Sequence, residues 1–94
     1  MNTKQLSKVL KALSNQNRLE LYLEICKKQE ASYQTGSECF VTDIVKSLKI
    51  GAPTISHHLK ELANADLIHT EKRGKYLVVK VNKNTISEVN KILK

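Results

Sequence analysis

Residues 49–62 read KIGAPTISHHLKEL and contain the glycine and proline that are the most informative markers of a helix boundary in the chain. A helix accepts proline only in its first turn, so Pro53 predicts that a helix begins at about Ala52. Apolar side chains then recur at the spacing of one buried helix face, at Ile55, Leu59 and Leu62. His58 is rotated toward the same face and is predicted to be packed rather than solvated.

A shorter helix is predicted just before this one, because Thr42 is a good N-cap and is followed by apolar residues at Ile44, Val45 and Leu48. A short helix, a turn of three or four residues that contains Gly51, and a second helix with a polar face form the helix-turn-helix pattern. The second helix of such a motif enters the major groove of DNA. The DNA-binding residues predicted on it are Ala52, Pro53, Thr54, Ser56, His57 and Lys60.

The polar residues of this helix have side chains suited to contact with DNA. The hydroxyl groups of Thr54 and Ser56 can bond to phosphates or base edges, and neutral His57 can donate or accept a hydrogen bond. The alternative is that these residues form an ordinary solvated helix surface, or that the module binds a protein instead of DNA. A protein-binding helix is expected to expose an apolar or acidic face, and Thr54, His57 and Lys60 do not form one.

A β-hairpin is predicted after the helix-turn-helix. Residues 67–72 look extended, residues 73–75 (Arg-Gly-Lys) form a turn, and residues 76–81 (YLVVKV) are the most β-prone segment of the chain. The tip carries Lys72, Arg73 and Lys75, which are predicted to bind phosphate groups as a basic wing. Such contacts give affinity and salt dependence rather than sequence information.

Three further helices, a loop and a short extended stretch complete the predicted architecture. One helix is predicted after Thr3, and its apolar side chains form a stripe along one face at Leu6, Val9, Leu10 and Leu13. A second helix is predicted from Asn15 to about Lys28. Its apolar stripe consists of Leu19, Tyr22, Leu23 and Cys26 and is widened by Leu21 and Ile25. Residues 29–38 are predicted to be a loop, residues 39–41 extended, and a last helix starts at Asn84 or Thr85. The fold class is therefore mainly α with a β-hairpin, a winged helix-turn-helix.

Length and charge limit the possible functions. A chain of 94 residues is predicted to form a single domain, residues 1–94. Its 16 Lys and Arg against nine Asp and Glu give a net charge of +7, which favours a polyanionic partner such as double-stranded DNA. No apolar run reaches the length of a membrane span and no signal peptide opens the chain, so a cytoplasmic protein without membrane contact is expected.

The sequence resembles that of ArsR/SmtB-type transcriptional repressors in three places. Residues 11–23 (KALSNQNRLELYL) resemble the "ALA-polar-RL-x-IL" opening of that family, and residues 41–68 are similar to its recognition segment, above all PTISHHLKEL at 53–62. Gly74 and Tyr76 fit its wing. The resemblance covers most of the chain and implies a winged helix-turn-helix repressor that binds a specific DNA sequence.

Metal sensing is not expected, although many repressors of the resembled family sense metals. Their ligands are a Cys-x-Cys pair on the first helix of the helix-turn-helix or Asp and His pairs on the last helix. Phe40 and Thr42 occupy the first positions here, and the last helix offers only Glu88. The thiolate and imidazole groups that a soft or borderline ion needs are missing, so no metal and no other cofactor is predicted.

Cys26 and Cys39 have two interpretations. Both are compatible with small buried hydrophobic residues. Alternatively, the predicted loop 29–38 brings their sulfur atoms together as a reversible thiol switch, in which Lys27 and Lys28 stabilise a thiolate at Cys26. An enzyme is not expected, because the chain has no glycine-rich phosphate loop, no paired carboxylates at useful spacing and no clear nucleophile–base arrangement.

A homodimer is predicted from the first and last helices. Each carries an apolar stripe that a small core cannot cover completely, the last one at Ile86, Val89 and Leu93. Two-fold pairing buries both stripes and places two recognition helices about 34 Å apart on an inverted repeat of DNA. The family resemblance implies the same arrangement.

Overall fold

The computed structural model describes residues 1–36, 38–46, 48 and 51–94. Its elements follow one another as α1 (Thr3–Leu13), α2 (Gln16–Thr35), α3 (Val41–Val45), α4 (Ala52–Asn64), β1 (Ile68–Arg73), β2 (Tyr76–Val81) and α5 (Lys83–Leu93). This order confirms the predicted fold class. The turn predicted before α4 includes Lys49 and Ile50, which lie outside the described residues.

The starts of the first two helices follow from side-chain caps. Asn2, and not Thr3 as predicted, caps α1: its side chain accepts from the Gln5 backbone N–H at 2.9 Å, and the Gln5 side chain accepts from the Asn2 N–H at 3.2 Å. This reciprocal pair is a capping box, which favours Asn2 over the next residue as the cap. Asn15 caps α2 as predicted, accepting from the Arg18 N–H at 3.0 Å.

The loop predicted at residues 29–38 is wrong for most of its length, because α2 continues to Thr35. Gln29 is buried, and its side-chain oxygen accepts a hydrogen bond from the backbone N–H of Val81 in β2. This tertiary contact stabilises a helical turn that the pattern of apolar residues does not predict. The helix ends before Gly36, whose φ of 75° is the left-handed conformation common after a helix.

Helix α2 is central to the core, as predicted, but only part of its predicted apolar stripe faces inward. Leu21, Tyr22 and Ile25 are buried, whereas Leu19 and Leu23 are exposed to 36% and 57%. A helix with apolar residues around much of its circumference leaves the choice of face to its neighbours. Here the neighbours are α1, α3, α4 and β2.

The helix-turn-helix consists of α3 and α4. Helix α3 begins after Phe40, so Thr42 lies within its first turn and is not the predicted cap. Ile44 is fully buried and Val45 and Leu48 pack partly against the core. Helix α4 begins at Ala52 with Pro53 in its first turn, as predicted, and its three predicted core residues are buried: Ile55, Leu59 and Leu62.

The wing is an antiparallel hairpin of β1 and β2, in which Arg73 pairs with Tyr76. Its loop is therefore Gly74-Lys75, one residue shorter than predicted, and Arg73 belongs to the strand. Gly74 has a φ of 63°, the conformation that a tight hairpin turn requires at this position. The residues before α3 join the same sheet: Phe40 forms a bridge with Val78, and the Val79 N–H donates to the Cys39 carbonyl at 3.0 Å.

Helix α5 packs against the body only in part. It begins at Lys83, one or two residues earlier than predicted, and Thr85 is its one buried residue. Ile86 and Val89 are half-buried, and Leu93 is 57% exposed. None of the helices in the described part of the chain is long and apolar enough to cross a membrane.

Candidate nucleic-acid interface

The solvent-facing side of α4 carries the predicted recognition residues. Thr54, Ser56, His57 and Lys60 are all exposed, and Pro53 is exposed in the first turn, where the helix begins at Ala52. The opposite side of the helix is held by Leu62, which is fully buried, together with Ile55 and Leu59. A packed helix therefore presents hydroxyl, imidazole and ammonium groups on one accessible surface, as a major-groove reader does.

His58 differs sharply from its neighbour His57. Its side chain is 5% exposed, and neither Nδ1 nor Nε2 has a hydrogen-bond partner among the described residues. Burial lowers the pKa of His58, and the nearby Arg18 guanidinium and His57 ring lower it further. The prediction that His58 is packed is confirmed, and its surroundings favour the neutral form of the ring.

The predicted wing residues are Lys72, Arg73 and Lys75, and the structure places all three at the exposed end of the hairpin. Lys75 lies over the ring of Tyr76, with Nζ 5.5 Å from the ring centroid. Arg73 is engaged by two carboxylates: its Nε is 3.2 Å from Oε1 of Glu38, and its Nη1 is 2.6 Å from Oε1 of Glu71. The hydrogen bond and charge of Arg73 lower the pKa of Glu71.

The two cysteines are free thiols with little tendency to ionise. Burial raises the pKa of Cys26, and a hydrogen bond with Tyr22 lowers it in part. Burial also raises the pKa of Cys39, with a further increase from the Asp43 carboxylate and a decrease from Lys28. The pKa of Cys39 is thus lowered by Lys28, a residue that was predicted to stabilise a thiolate at Cys26. The loop that was expected to bring the two sulfur atoms together is largely helical.

Comparisons with known proteins agree on one family. The model for "Bacterial regulatory protein, arsR family" matches residues 34–70. The chain is 31% identical over 93 residues to the arsenical resistance operon repressor of Staphylococcus xylosus, which covers 99% of this chain and 81% of that protein. The chain belongs to the ArsR family. It is a DNA-binding transcriptional regulator, and the predicted resemblance is confirmed.

Solved structures with low sequence identity share the fold of this ArsR-family protein. A crystal structure of an ArsR family transcriptional regulator superposes with a TM-score of 0.78 at 18% identity, covering 99% of this chain and 87% of that one. The solution structure of a homodimeric winged helix-turn-helix DNA-binding domain from Mycobacterium bovis, a possible ArsR-family regulator, gives 0.71 at 19% identity, covering 96% and 76%.

Metal-ligating side chains do not gather in the described part of this ArsR-family protein. Within residues 1–36, 38–46, 48 and 51–94, no group of three or more His, Cys, Asp or Glu side chains is placed to hold an ion. Phe40, at one position where the resembled repressors carry a thiolate, instead packs edge-on against Tyr76 with ring centroids 6.0 Å apart.

Sequence reasoning missed the contacts that join the wing to the segment before α3. Glu38 was placed only in a loop, Phe40 was noted only as a non-ligand, and Tyr76 only as part of the wing pattern. Each lies about 35 residues from its partner, and no local period or motif links them. The one available signal was the β-prone character of residues 39–41, which were predicted to be extended.

Proposed function

We propose that this protein is a repressor that binds a specific sequence of double-stranded DNA through α4. The observation that carries the proposal is the two-sided character of this helix. Its inner face is buried, and its outer face exposes Thr54, Ser56, His57 and Lys60. Side chains on a well-packed helix keep a constant position relative to the groove, which direct contact with base edges requires.

The wing adds contacts with the phosphate backbone in this proposal. Lys72, Arg73 and Lys75 lie at the exposed hairpin end, and most contacts between proteins and DNA are made with phosphate and sugar. These cations orient the protein on the duplex and make its affinity fall with rising salt, while α4 supplies the preference for one sequence.

The protein acts as a homodimer on an inverted repeat in this proposal, with α1 and α5 forming the interface. Apolar side chains on both helices remain accessible, among them Leu10 at 44%, Ile92 at 44% and Leu93 at 57% exposure. A second copy would cover them, and the related Mycobacterium bovis domain is described as homodimeric. Val9 and Ala12 are already buried within one chain, so Leu10 and α5 carry most of the expected interface.

Fluorescence anisotropy tests the proposal directly. The wild-type protein is first used to select duplexes from a random-sequence library, and the selected duplex is compared with a scrambled version at several salt concentrations. We expect tighter binding to the selected duplex at every salt concentration and a dimeric mass by light scattering. Equal affinity for both duplexes would contradict sequence-specific binding, and a monomeric mass with unchanged binding would contradict the dimer.

A thiol switch at Cys26 and Cys39 stays a prediction. The raised pKa values of both thiols keep the reactive thiolate scarce, so the burial of these residues supports inert packing. Cys26 nevertheless borders a cleft of about 250 Å³ that is also lined by Gln29, Glu30, Val81 and Lys83. Two measurements distinguish a thiol switch from inert packing: mass spectrometry of the thiols with and without oxidant, and DNA binding of a Cys26→Ser/Cys39→Ser variant. Release of DNA by oxidant in the wild type alone would establish the switch.

A further inference from the structure

The three cations of the wing are held in different ways. Lys72 is exposed and Lys75 lies over the Tyr76 ring, but the guanidinium of Arg73 contacts two carboxylates, at 3.2 Å and 2.6 Å. These contacts occupy two of the five guanidinium N–H groups, and the two carboxylates offset the positive charge that Arg73 would offer to a phosphate. Arg73 is therefore the wing cation that is least available to DNA.

The two carboxylates come from different parts of the molecule. Glu71 lies on β1, beside Arg73, and moves with the hairpin. Glu38 lies 35 residues earlier, in the segment that leads into α3. It is thus the contact between Arg73 and the body of the domain.

The backbone next to Glu38 is fixed relative to the hairpin. The carbonyl of Cys39 accepts the Val79 N–H at 3.0 Å, and Phe40 forms a bridge with Val78. The Phe40 ring also packs against Tyr76, at an interplanar angle of 74°. These contacts place the backbone of Glu38 beside the wing, where its carboxylate lies 3.2 Å from Arg73 Nε.

The ion pair between Glu38 and Arg73 contributes little to folding stability. The side chains of Glu38 and Arg73 are exposed to 42% and 40%, and exposed ion pairs contribute little to folding. Its main effect is on charge and direction. With Glu38 and Glu71 included, the wing end carries three cations and two anions, which leaves one net positive charge instead of three.

We propose that Glu38 is a positioning residue that weakens DNA binding by limiting the phosphate contact of Arg73. A phosphate contact adds about the same free energy of binding to every duplex, so limiting it lowers the affinity for operator and other DNA alike. By holding Arg73 toward the domain, Glu38 lowers the affinity for all DNA and leaves discrimination between sequences to α4. This inference rests on the proposed function.

The Glu38→Gln variant tests the inference, because glutamine keeps the size of the side chain and removes its charge. Anisotropy is measured with a labelled mixed-sequence duplex of about 24 base pairs, between about 50 and 200 mM salt. One additional phosphate contact steepens the slope of log K against log salt by about 0.9 for each wing. We therefore expect tighter binding to the mixed-sequence duplex at low salt, a steeper salt slope, and an unchanged ratio in favour of the selected operator.

Asp43→Asn is the matched control. Asp43 lies five residues later and pairs with Lys46 at 3.7 Å, so its removal changes the net charge equally but leaves Arg73 engaged. A general effect of charge would change both variants alike. Arg73→Gln, made in the wild type and in Glu38→Gln, gives the coupling between the two residues. Its effect on the salt slope is expected to be larger when Glu38 has been neutralised.

The inference is overturned if Glu38→Gln binds the mixed-sequence duplex with the affinity and salt slope of Asp43→Asn. It is also overturned if Arg73→Gln has the same effect in both backgrounds. In both cases a lower salt slope for Lys72→Gln would still support the proposed function. If instead the wild type prefers no duplex and Lys72→Gln has no effect, the proposed function fails as well.

Discussion

The recognition helix α4 and the wing both expose groups suited to DNA, but they are supported in different ways. Helix α4 is anchored by three buried apolar side chains, one of them Leu62, which has no exposed surface. In β1 only Ile68 is buried, and the five residues up to Arg73 are exposed. The hairpin end is instead held by polar, aromatic and backbone contacts with residues 38–40.

This difference matters for what each region can contribute. Reading a base edge needs an atom placed to within a fraction of an ångström, which a packed helix supplies. Attraction to phosphate is long-ranged and tolerates movement, so exposed cations on a hairpin are sufficient for it. The contrast predicts that changes in α4 alter either folding or discrimination, whereas changes in the wing alter affinity and its salt dependence.

Removing the anchor of α4 should have the largest effect. Leu62→Ala deletes a fully buried side chain, and such substitutions cost about 2–5 kcal/mol of the free energy of unfolding. Leu23→Ala, at a residue 57% exposed on α2, should change the same quantity by less than about 0.5 kcal/mol. Urea denaturation followed by circular dichroism measures both. Similar costs for the two variants would mean that α4 is not held by its inner face.

Substitutions on the DNA-facing groups should separate the two regions. His57→Ala is expected to lower the preference for the selected operator by about 1–3 kcal/mol, or roughly 5- to 150-fold, with little effect on a scrambled duplex. Lys72→Gln should weaken binding to both duplexes equally and reduce the salt slope by about 0.9 for each wing. Anisotropy with both duplexes gives the result, and a loss of discrimination in Lys72→Gln would contradict the division of roles.

Acidification should weaken the anchor of α4 through His58. Its pKa is lowered in the folded protein, so as pH falls below about 6.5 the unfolded chain binds a proton that the folded chain does not. The free energy of unfolding therefore decreases as pH falls from about 6.5 toward the lowered folded-state pKa of His58. Above about pH 6.5 the neutral ring contributes its full share to this free energy. Denaturation midpoints at several pH values measure this dependence.

Two variants identify the group responsible. His58→Leu should flatten the dependence in that window and should not destabilise the protein at pH 7.5, because it removes two buried polar atoms that lack partners. His57→Gln changes an exposed ring and should leave most of the dependence in place, because burial is the largest cause of the lowered His58 pKa. An unchanged pH profile in His58→Leu would exclude His58 as its origin.

The junction between α4 and the wing should show the smallest effect. Asp66 has a φ of 60°, in the left-handed region, and follows the last turn of α4. Glycine adopts this conformation without the steric cost of a Cβ. This gain in stability is partly offset by the greater conformational freedom that glycine has in the unfolded chain. Asp66→Gly should therefore raise the free energy of unfolding by roughly 0.5 kcal/mol, and Asp66→Ala should lower it. The backbone carbonyl that accepts from Thr85 at 2.6 Å is present in both variants.

Much of the fold was predictable because its signals are local. Pro53 marks the start of α4, the spacing of Ile55, Leu59 and Leu62 defines its inner face, and the same spacing directs His58 inward. The hairpin followed from a β-prone segment beside Gly74. Proline geometry, helical periodicity and turn conformation act over a few residues, so the amino-acid sequence is sufficient to predict them.

Long-range contacts account for what could not be predicted. Helix α2 continues beyond its predicted end at Lys28, and the next residue, Gln29, is buried and accepts a hydrogen bond from β2. The elements that surround α2 cover Leu21 and Ile25 and leave Leu19 and Leu23 exposed. The Glu38–Arg73 contact likewise joins residues 35 positions apart. Hydrogen bonds and ion pairs between distant residues leave no periodic pattern in a sequence. They form only when packing of the apolar faces has already brought the chain segments together.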